Sequence, residues 1–272
     1  MAVDVPRADW RGKYAVPVVD YGTASHGRGV HLTIRHIALT GVFAFAAGIM
    51  LASLTGFHEW MPFLLRGAWM TIKLTVLGCI LAVVFAFVAA FGKMSRVRPV
   101  RWLAISYIEV FRGTSALVQL FWLFFVLPHF GITLDPIPVA ILALGLNVGA
   151  YGAEVVRGAI QAVPRGQYEA ATALNMSHWT MMRRIIVPQA LLAMVPPWGN
   201  LFIELMKATA LVSLITLTDL TFAAYQLNQT ALRSVEIFSL VLVMYFFISQ
   251  AIAWLTHSAE RYLARGLARG RA

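Results

Sequence analysis

From Cys79 to Phe91 the chain reads CILAVVFAFVAAF, an apolar run that carries no charge and does not alternate with polar residues. A transmembrane β-strand alternates apolar and polar positions, so runs of this kind speak against a barrel. A helix needs about 20 predominantly apolar residues to cross a bilayer core, and several segments approach that length. The rest of the composition agrees. The 272 residues are 60% hydrophobic and only 12% charged, with a mean hydropathy of +0.74, whereas a soluble domain carries about 25% charged residues. The expected fold class is all-α, a polytopic transmembrane helical bundle. Candidate helices fall at roughly 37–55, 67–92, 103–127, 137–156, 191–218 and 237–257, about six spans.

Lys and Arg alternate sharply between the connecting segments. Arg7, Arg11, Lys13, Arg28 and Arg35 lie in the N-terminal tail, and Lys93, Arg96, Arg98 and Arg101 in the next basic segment. Arg157, Arg165, Arg183 and Arg184 flank residues 157–190, and Arg261, Arg265, Arg269 and Arg271 end the chain. The segment PHFGITLDP has no basic residue, and 219–236 has only Arg233. Basic loops stay on the cytoplasmic side, so both termini, 93–102 and 157–190 are expected inside. The net charge of +10 is thus a topology signal and implies no nucleic acid. The organisation expected is a cytoplasmic tail over 1–36, an added first helix and short external loop over 37–62, a membrane core over 63–257, and a basic tail over 258–272.

One cytoplasmic stretch, YEAATALNMSHWTMMRRIIVPQA from Tyr168 to Ala190, has no span-length apolar run. A short helix can start at Gly166 after Pro164, and Glu169, Ala170, Ala171 and Ala173 suit helical turns. Asn175 tolerates the left-handed backbone that commonly closes a helix. Ser177 can cap a second helix, with Met181, Met182, Ile185 and Ile186 as its apolar stripe, and Pro188 is expected to end it. A surface-lying connector is the competing reading.

This stretch resembles the EAA loop of permease subunits of binding-protein-dependent ABC importers: Glu169, Ala170 and Ala171 match, Ile186-Val187-Pro188 keeps the proline, and Asn175 stands at the glycine position. The resemblance implies that Gly166, Glu169, Ala170, Ala171, Asn175, Ile186 and Pro188 belong to a coupling loop that docks on a separate ATPase subunit, with Glu169 as the contacting acid. It extends over about 63–257. LLRGAWMTIKLT, YIEVFRGTSALVQLFW (Ser115 replacing a proline), GAYGAEVVRGAIQAVPRGQYEAA and PPWGNLFIELMKATALVSLI are similar, in order, to the polar-amino-acid branch of these importers. ALNMS, FWLFFVLP and LDP most resemble permeases for ectoine and hydroxyectoine. The implied fold is that of a type I importer permease in a bacterial inner membrane. The implied partners are ATP-binding subunits, a second permease chain (identical or paralogous), an extracytoplasmic solute-binding protein and a small zwitterionic substrate.

Three acids precede a base by three residues: Glu109 and Arg112, Glu154 and Arg157, Glu204 and Lys207. That step puts each pair on one helical face. The first two lie near cytoplasmic ends and can snorkel. Glu204 and Lys207 lie deeper, where charge usually faces a bundle interior or a water-filled cavity. With Asn200 and Thr209 they form a candidate wall of a translocation pathway; a buried structural ion pair is the alternative.

No catalytic constellation emerges. FGKMS lacks the upstream glycine of a phosphate loop, and HEWMP has Pro62 where a zinc-protease helix carries its second histidine. No metal or cofactor is implied, and the single Cys79 excludes an intrachain disulfide. The chain is therefore expected to be a transport subunit and not an enzyme. The alternative is a secondary transporter or channel working without an ATPase.

Overall fold

The computed structural model describes residues 57–269, together with Gly41 and Gly48. The tail expected over 1–36 and the helix expected at 37–55 lie outside the described residues, save those two glycines. The chain divides into two compact units, Met1–Ala46 and Ala47–Ala272, and the helices described below belong to the second.

The helices are α1 (Phe57–Met94), α2 (Arg98–Gly113), α3 (Ala116–Phe130), α4 (Pro136–Gln161), α5 (Arg165–Ala173), α6 (His178–Ile215), α7 (Leu220–Ala231) and α8 (Ser234–Arg269). Among the described residues, α1, α4, α6 and α8 are each long and apolar enough to cross a membrane, and α2 with α3 makes a bent fifth candidate. The turns at one end carry Lys93 and Arg98, Arg157 and Arg165, and Arg183 and Arg184. Successive long helices run toward and away from this basic end.

The core sits between α1 and α4. Lipid tails are as apolar as leucine, so helices in a bilayer associate mainly through close van der Waals packing, which small residues permit. On α1 the inward face is Leu74, Ala82, Ala86, Ala89 and Ala90, all 5% exposed or less. On α4 the facing stripe is Gly145, Gly149 and Gly152. A Cβ at Gly145 would lie 2.8 Å from Leu81 Cδ2, and one at Gly149 would lie 3.1 Å from the Ala82 carbonyl oxygen. A Cβ at Gly152 would strike the Trp198 ring of α6. A second apolar cluster, around Leu64, Ala68, Leu220, Ala224, Ile237 and Val241, joins α1, α7 and α8 at the opposite end.

Two expected boundaries are corrected. The span expected at 103–127 is not one helix: it bends by 107° between α2 and α3. Thr114 and Ser115 are extended there, with φ/ψ of −121°/153° and −68°/135°. Side chains take up the polar groups this frees. Gln119 Nε2 donates to the carbonyls of Phe111 (2.9 Å) and Thr114 (3.3 Å) and to Thr114 Oγ1 (2.6 Å). Asn147 Nδ2 of α4 also donates to the Phe111 carbonyl (3.0 Å). Such compensation is required where water is excluded.

The second correction concerns Pro188, which does not end its helix. Residues 182–186 form a π-helical turn, and the helix resumes at Val187 and continues through Pro196 and Pro197. A proline clashes with the carbonyl four residues back, and a widened turn relieves that clash. Gln189 Nε2 donates to the Ile185 carbonyl at 2.9 Å within the same turn. The surface helix and the span expected at 191–218 are therefore one continuous element, α6.

Replacing Gly149 by Val should lower stability by about 1–3 kcal/mol, because α1 backbone faces the added carbons. Gly158, whose Cβ would meet nothing within 4 Å, should accept Ala without loss. Thermal unfolding of the two variants in detergent measures the difference.

Candidate functional site

At the basic end the chain turns back through Val163-Pro164 into α5. Tyr168 reaches back to α4, its hydroxyl donating to the Ile160 carbonyl at 3.0 Å; burial pushes this phenol above its ordinary value. Ala171 is buried at 1% exposure, so α5 lies with one face sealed on the bundle. Asn175 then takes φ = 53°. Its N–H donates to the Thr172 carbonyl (2.9 Å), and the Met176 N–H donates to the Ala171 carbonyl (3.1 Å). This hydrogen-bond pair closes a helix whose next residue is left-handed. Ser177 Oγ accepts from the Thr180 N–H at 3.3 Å and caps the start of α6. The element is thus a short helix, a fixed turn and a long helix that runs on into the bundle.

The residues assigned to this loop from sequence separate into two groups. Gly166, Glu169, Ala170 and Asn175 are exposed. Ala171 and Ile186 are buried in the chain's own core, and Pro188 is half-buried inside α6. Ala171, 1% exposed, therefore offers no surface to a partner, whereas Ala170 does. Two residues outside that set stand out instead: Leu174 at 75% and Trp179 at 72% exposure flank the turn beside Glu169 and Ala170. Their signal was present as apolar residues on either side of Asn175, outside the stripe running from Met181 to Ile186.

Above this element an ion cluster ties α1 to α4. Glu154 accepts from Lys93 Nζ at 2.6 Å and from Arg157 Nη2 and Nε at 2.6 and 2.8 Å, while Arg157 Nη1 donates to Gln161 Oε1 at 2.7 Å. Sequence spacing brought Glu154 and Arg157 together but not Lys93, which arrives from another helix. The spacing did not pair Glu109 with Arg112. The Arg112 guanidinium instead lies 5.4 Å from the centre of the Tyr151 ring.

On α6, Asn200, Glu204 and Lys207 lie on one exposed stripe, continued by Leu214. The ion pairs among the described residues involve neither Glu204 nor Lys207, so the reading of these two as a buried structural pair fails within this chain. Leu205, between them, faces the other way and packs on Gly78, where a Cβ would lie 3.1 Å from Leu205 Cδ2. Gly78 is near the middle of α1, so Glu204 and Lys207 lie level with the middle of that helix. A charged residue facing lipid at the bilayer centre costs about 2.5–3.5 kcal/mol on insertion scales, so a charged exposed stripe on a span calls for water or protein opposite it. Thr209 does not join this stripe. It is fully buried, and its hydroxyl donates to the Met206 carbonyl at 2.7 Å.

Residues 82–268 match the family of binding-protein-dependent transport system inner membrane components. The chain is 48% identical to a probable amino-acid ABC transporter permease protein, y4tF, of Sinorhizobium fredii, covering 76% of this chain and 90% of that one. It is 39% identical to the L-cystine transport system permease protein TcyB of Bacillus subtilis, over 78% of this chain and 91% of that one. The glutamine transport system permease protein GlnP of Escherichia coli is 34% identical over 74% and 93%. Among solved structures, an amino acid ABC transporter crystallised with histidines superposes with a TM-score of 0.71 at 37% identity, covering 76% of this chain and 96% of that one. The MetNI methionine transporter shares the fold, with a TM-score of 0.64 at 20% identity over 75% and 97%.

The left-handed turn makes a stability prediction. Asn175→Gly should be neutral or stabilising, whereas Asn175→Val should cost about 1–2 kcal/mol, because a β-branched side chain is crowded at φ = 53° and lacks the polar group by which Asn tolerates this conformation. Chemical or thermal unfolding of the purified chain distinguishes the two.

Proposed function

The chain belongs to the family of binding-protein-dependent transport system inner membrane components, and from that premise we propose what it carries and how it is driven. It is a membrane-spanning permease of the polar-amino-acid group of ABC importers. It is a transport subunit without catalytic activity of its own, and ATP hydrolysis resides on separate subunits. A secondary transporter or channel working alone is set aside by this membership.

The cargo we propose is a small zwitterion: a polar amino acid or a compatible solute such as ectoine or hydroxyectoine. The observation that carries this reading is the stripe Asn200, Glu204 and Lys207, which presents both signs of charge on an exposed face of a span, with no ion pair to either among the described residues. A zwitterion offers a carboxylate to Lys207 and a cationic group to Glu204. An extracytoplasmic solute-binding protein delivers it at the end opposite the basic turns, and both termini lie inside.

The drive enters at α5. Glu169, Ala170, Leu174 and Trp179 form a small exposed surface of one acid and apolar groups. An ATPase subunit with an apolar groove and a basic residue opposite Glu169 fits this surface, a charge-assisted contact being stronger than a neutral one. Because Tyr168 and Ala171 fix α5 to the bundle and α6 continues unbroken into the membrane, closure of the ATPase pair moves both as rigid elements between two states.

Glu169→Lys should leave insertion intact and weaken co-purification of the ATPase subunits; unchanged recovery of the ATPase would remove Glu169 from the contact. Cargo is read by uptake of labelled ectoine, arginine and glutamine in cells with and without the gene. Loss of ectoine uptake alone supports the compatible-solute reading. Loss of amino-acid uptake with ectoine unaffected discards it and keeps the polar-amino-acid permease.

A further inference from the structure

The corner between α1 and α2 is strongly basic and lies outside both surfaces described above. Arg96, Arg98 and Arg101 are exposed, and residues 92–108 hold no acid. The ion pairs among the described residues involve none of these three arginines. Nearby Glu154 is already shared by Lys93 and Arg157 and does not neutralise them. The corner is firmly built. The Ser95 N–H donates to the Gly92 carbonyl (3.1 Å), the Val97 N–H to Ser95 Oγ (3.2 Å) and the Arg101 N–H to the Val97 carbonyl (3.1 Å). A Cβ on Gly92 would lie 3.0 Å from the Ala104 Cβ, so α2 is pressed onto the end of α1. Ala104 and Ile108 seal the inner face of α2, which leaves Trp102 at 68% and Leu103 at 63% exposure among the arginines.

The charge-free stretch of α1 is 74–92, about 28 Å of helix, which matches the roughly 30 Å hydrocarbon core of a bilayer. The corner begins where that stretch ends, at the level of the lipid headgroups. Tryptophan concentrates at this level because its ring is apolar and its N–H is polar. We propose that the corner binds an anionic phospholipid, with the headgroup phosphate held by Arg96, Arg98 and Arg101 and an acyl chain lying against Trp102 and Leu103. Charge complementarity selects this occupant. Guanidinium groups pair with phosphate oxygens two at a time, and uncompensated bases beside a span attract anionic lipid. A zwitterionic lipid brings its own cation, which three arginines repel. The face offered to an ATPase has the opposite character, with Glu169 beside Leu174 and Trp179.

The test uses the full chain purified with its ATPase subunits, in phosphatidylcholine nanodiscs. A fixed fraction of the lipid is brominated, either phosphatidylglycerol or phosphatidylcholine. The Trp102 signal is the difference in fluorescence between the unaltered chain and Trp102→Phe. Brominated phosphatidylglycerol should quench this signal more than brominated phosphatidylcholine. The relative affinity for phosphatidylglycerol should fall about fivefold for each arginine replaced by Gln, and R96Q/R98Q/R101Q should make the two lipids equal. R96K/R98K/R101K keeps the charge and should keep the preference. R261Q/R265Q, which removes charge from the exposed end of α8, should keep it too. Equal quenching by both lipids in the unaltered chain overturns the anionic site, and so does a preference lost as fully in R261Q/R265Q. No quenching by either lipid shows that protein covers the corner, which also overturns it. Displacement of phosphatidylglycerol by soluble glycerol phosphate at the same concentration would make this a free-phosphate site and overturn the lipid. Recovery of the ATPase with the triple Gln variant shows that it is folded; if recovery fails, Arg98→Gln alone carries the test through its fivefold loss.

Discussion

Everything in this bundle depends on how closely α4 can approach α1. Hydrophobic collapse gives no reason for two helices to meet in lipid, so the seam is built by removing side chains: Gly145, Gly149 and Gly152 against Ala82, Ala86 and the α1 backbone. That seam also positions Trp198, whose ring occupies the space a Cβ on Gly152 would take. Trp198 in turn sets the rotation of α6. The exposure of Asn200, Glu204 and Lys207 is thus a consequence of small residues on a different helix.

The second constraint is that no backbone polar group can be left bare in the membrane. The two irregular places in the bundle show how this is met. At the α2–α3 bend, Gln119, Thr114 and Asn147 replace the missing helical hydrogen bonds with side-chain ones. In α6 a π-helical turn makes room for Pro188, and the helix survives. Pro188 therefore does not separate the surface element from the span. It lies inside the one continuous body that joins the basic-end surface to the stripe of Asn200, Glu204 and Lys207.

The two candidate sites are linked through that body. The Lys93–Glu154–Arg157 cluster ties the ends of α1 and α4 immediately before α5, and Tyr168 anchors α5 back to α4. Leu174 and Glu169 are joined to α6 through a hydrogen-bonded turn, and Trp179 lies on α6 itself. From there α6 runs as one helix to the exposed stripe of Asn200, Glu204 and Lys207.

Much of this was legible in the residues themselves. Apolar runs that do not alternate admit helices and exclude a barrel, and Lys and Arg marked one end of the bundle. Local backbone chemistry was also readable: Asn175 could be assigned a left-handed turn and Ser177 a cap, because those roles depend only on the residue and its immediate neighbours. Spacing placed Glu204 and Lys207 on one helical face. It could not say whether they pair with each other, because that depends on which side of α6 the Gly78 and Gly152 contacts claim; Thr209, five residues beyond Glu204, already falls off their face by helical spacing. Lys93 beside Glu154, the burial of Ala171 and the passage of the helix through Pro188 were equally invisible. Each depends on groups distant in sequence or on a compensating distortion. The sequence by itself determined that the long apolar segments are helices and which of their ends carry the basic turns. Only the tertiary structure decided which polar groups face inward, which stay exposed and which meet, because close packing between helices fixes their rotation and local spacing does not.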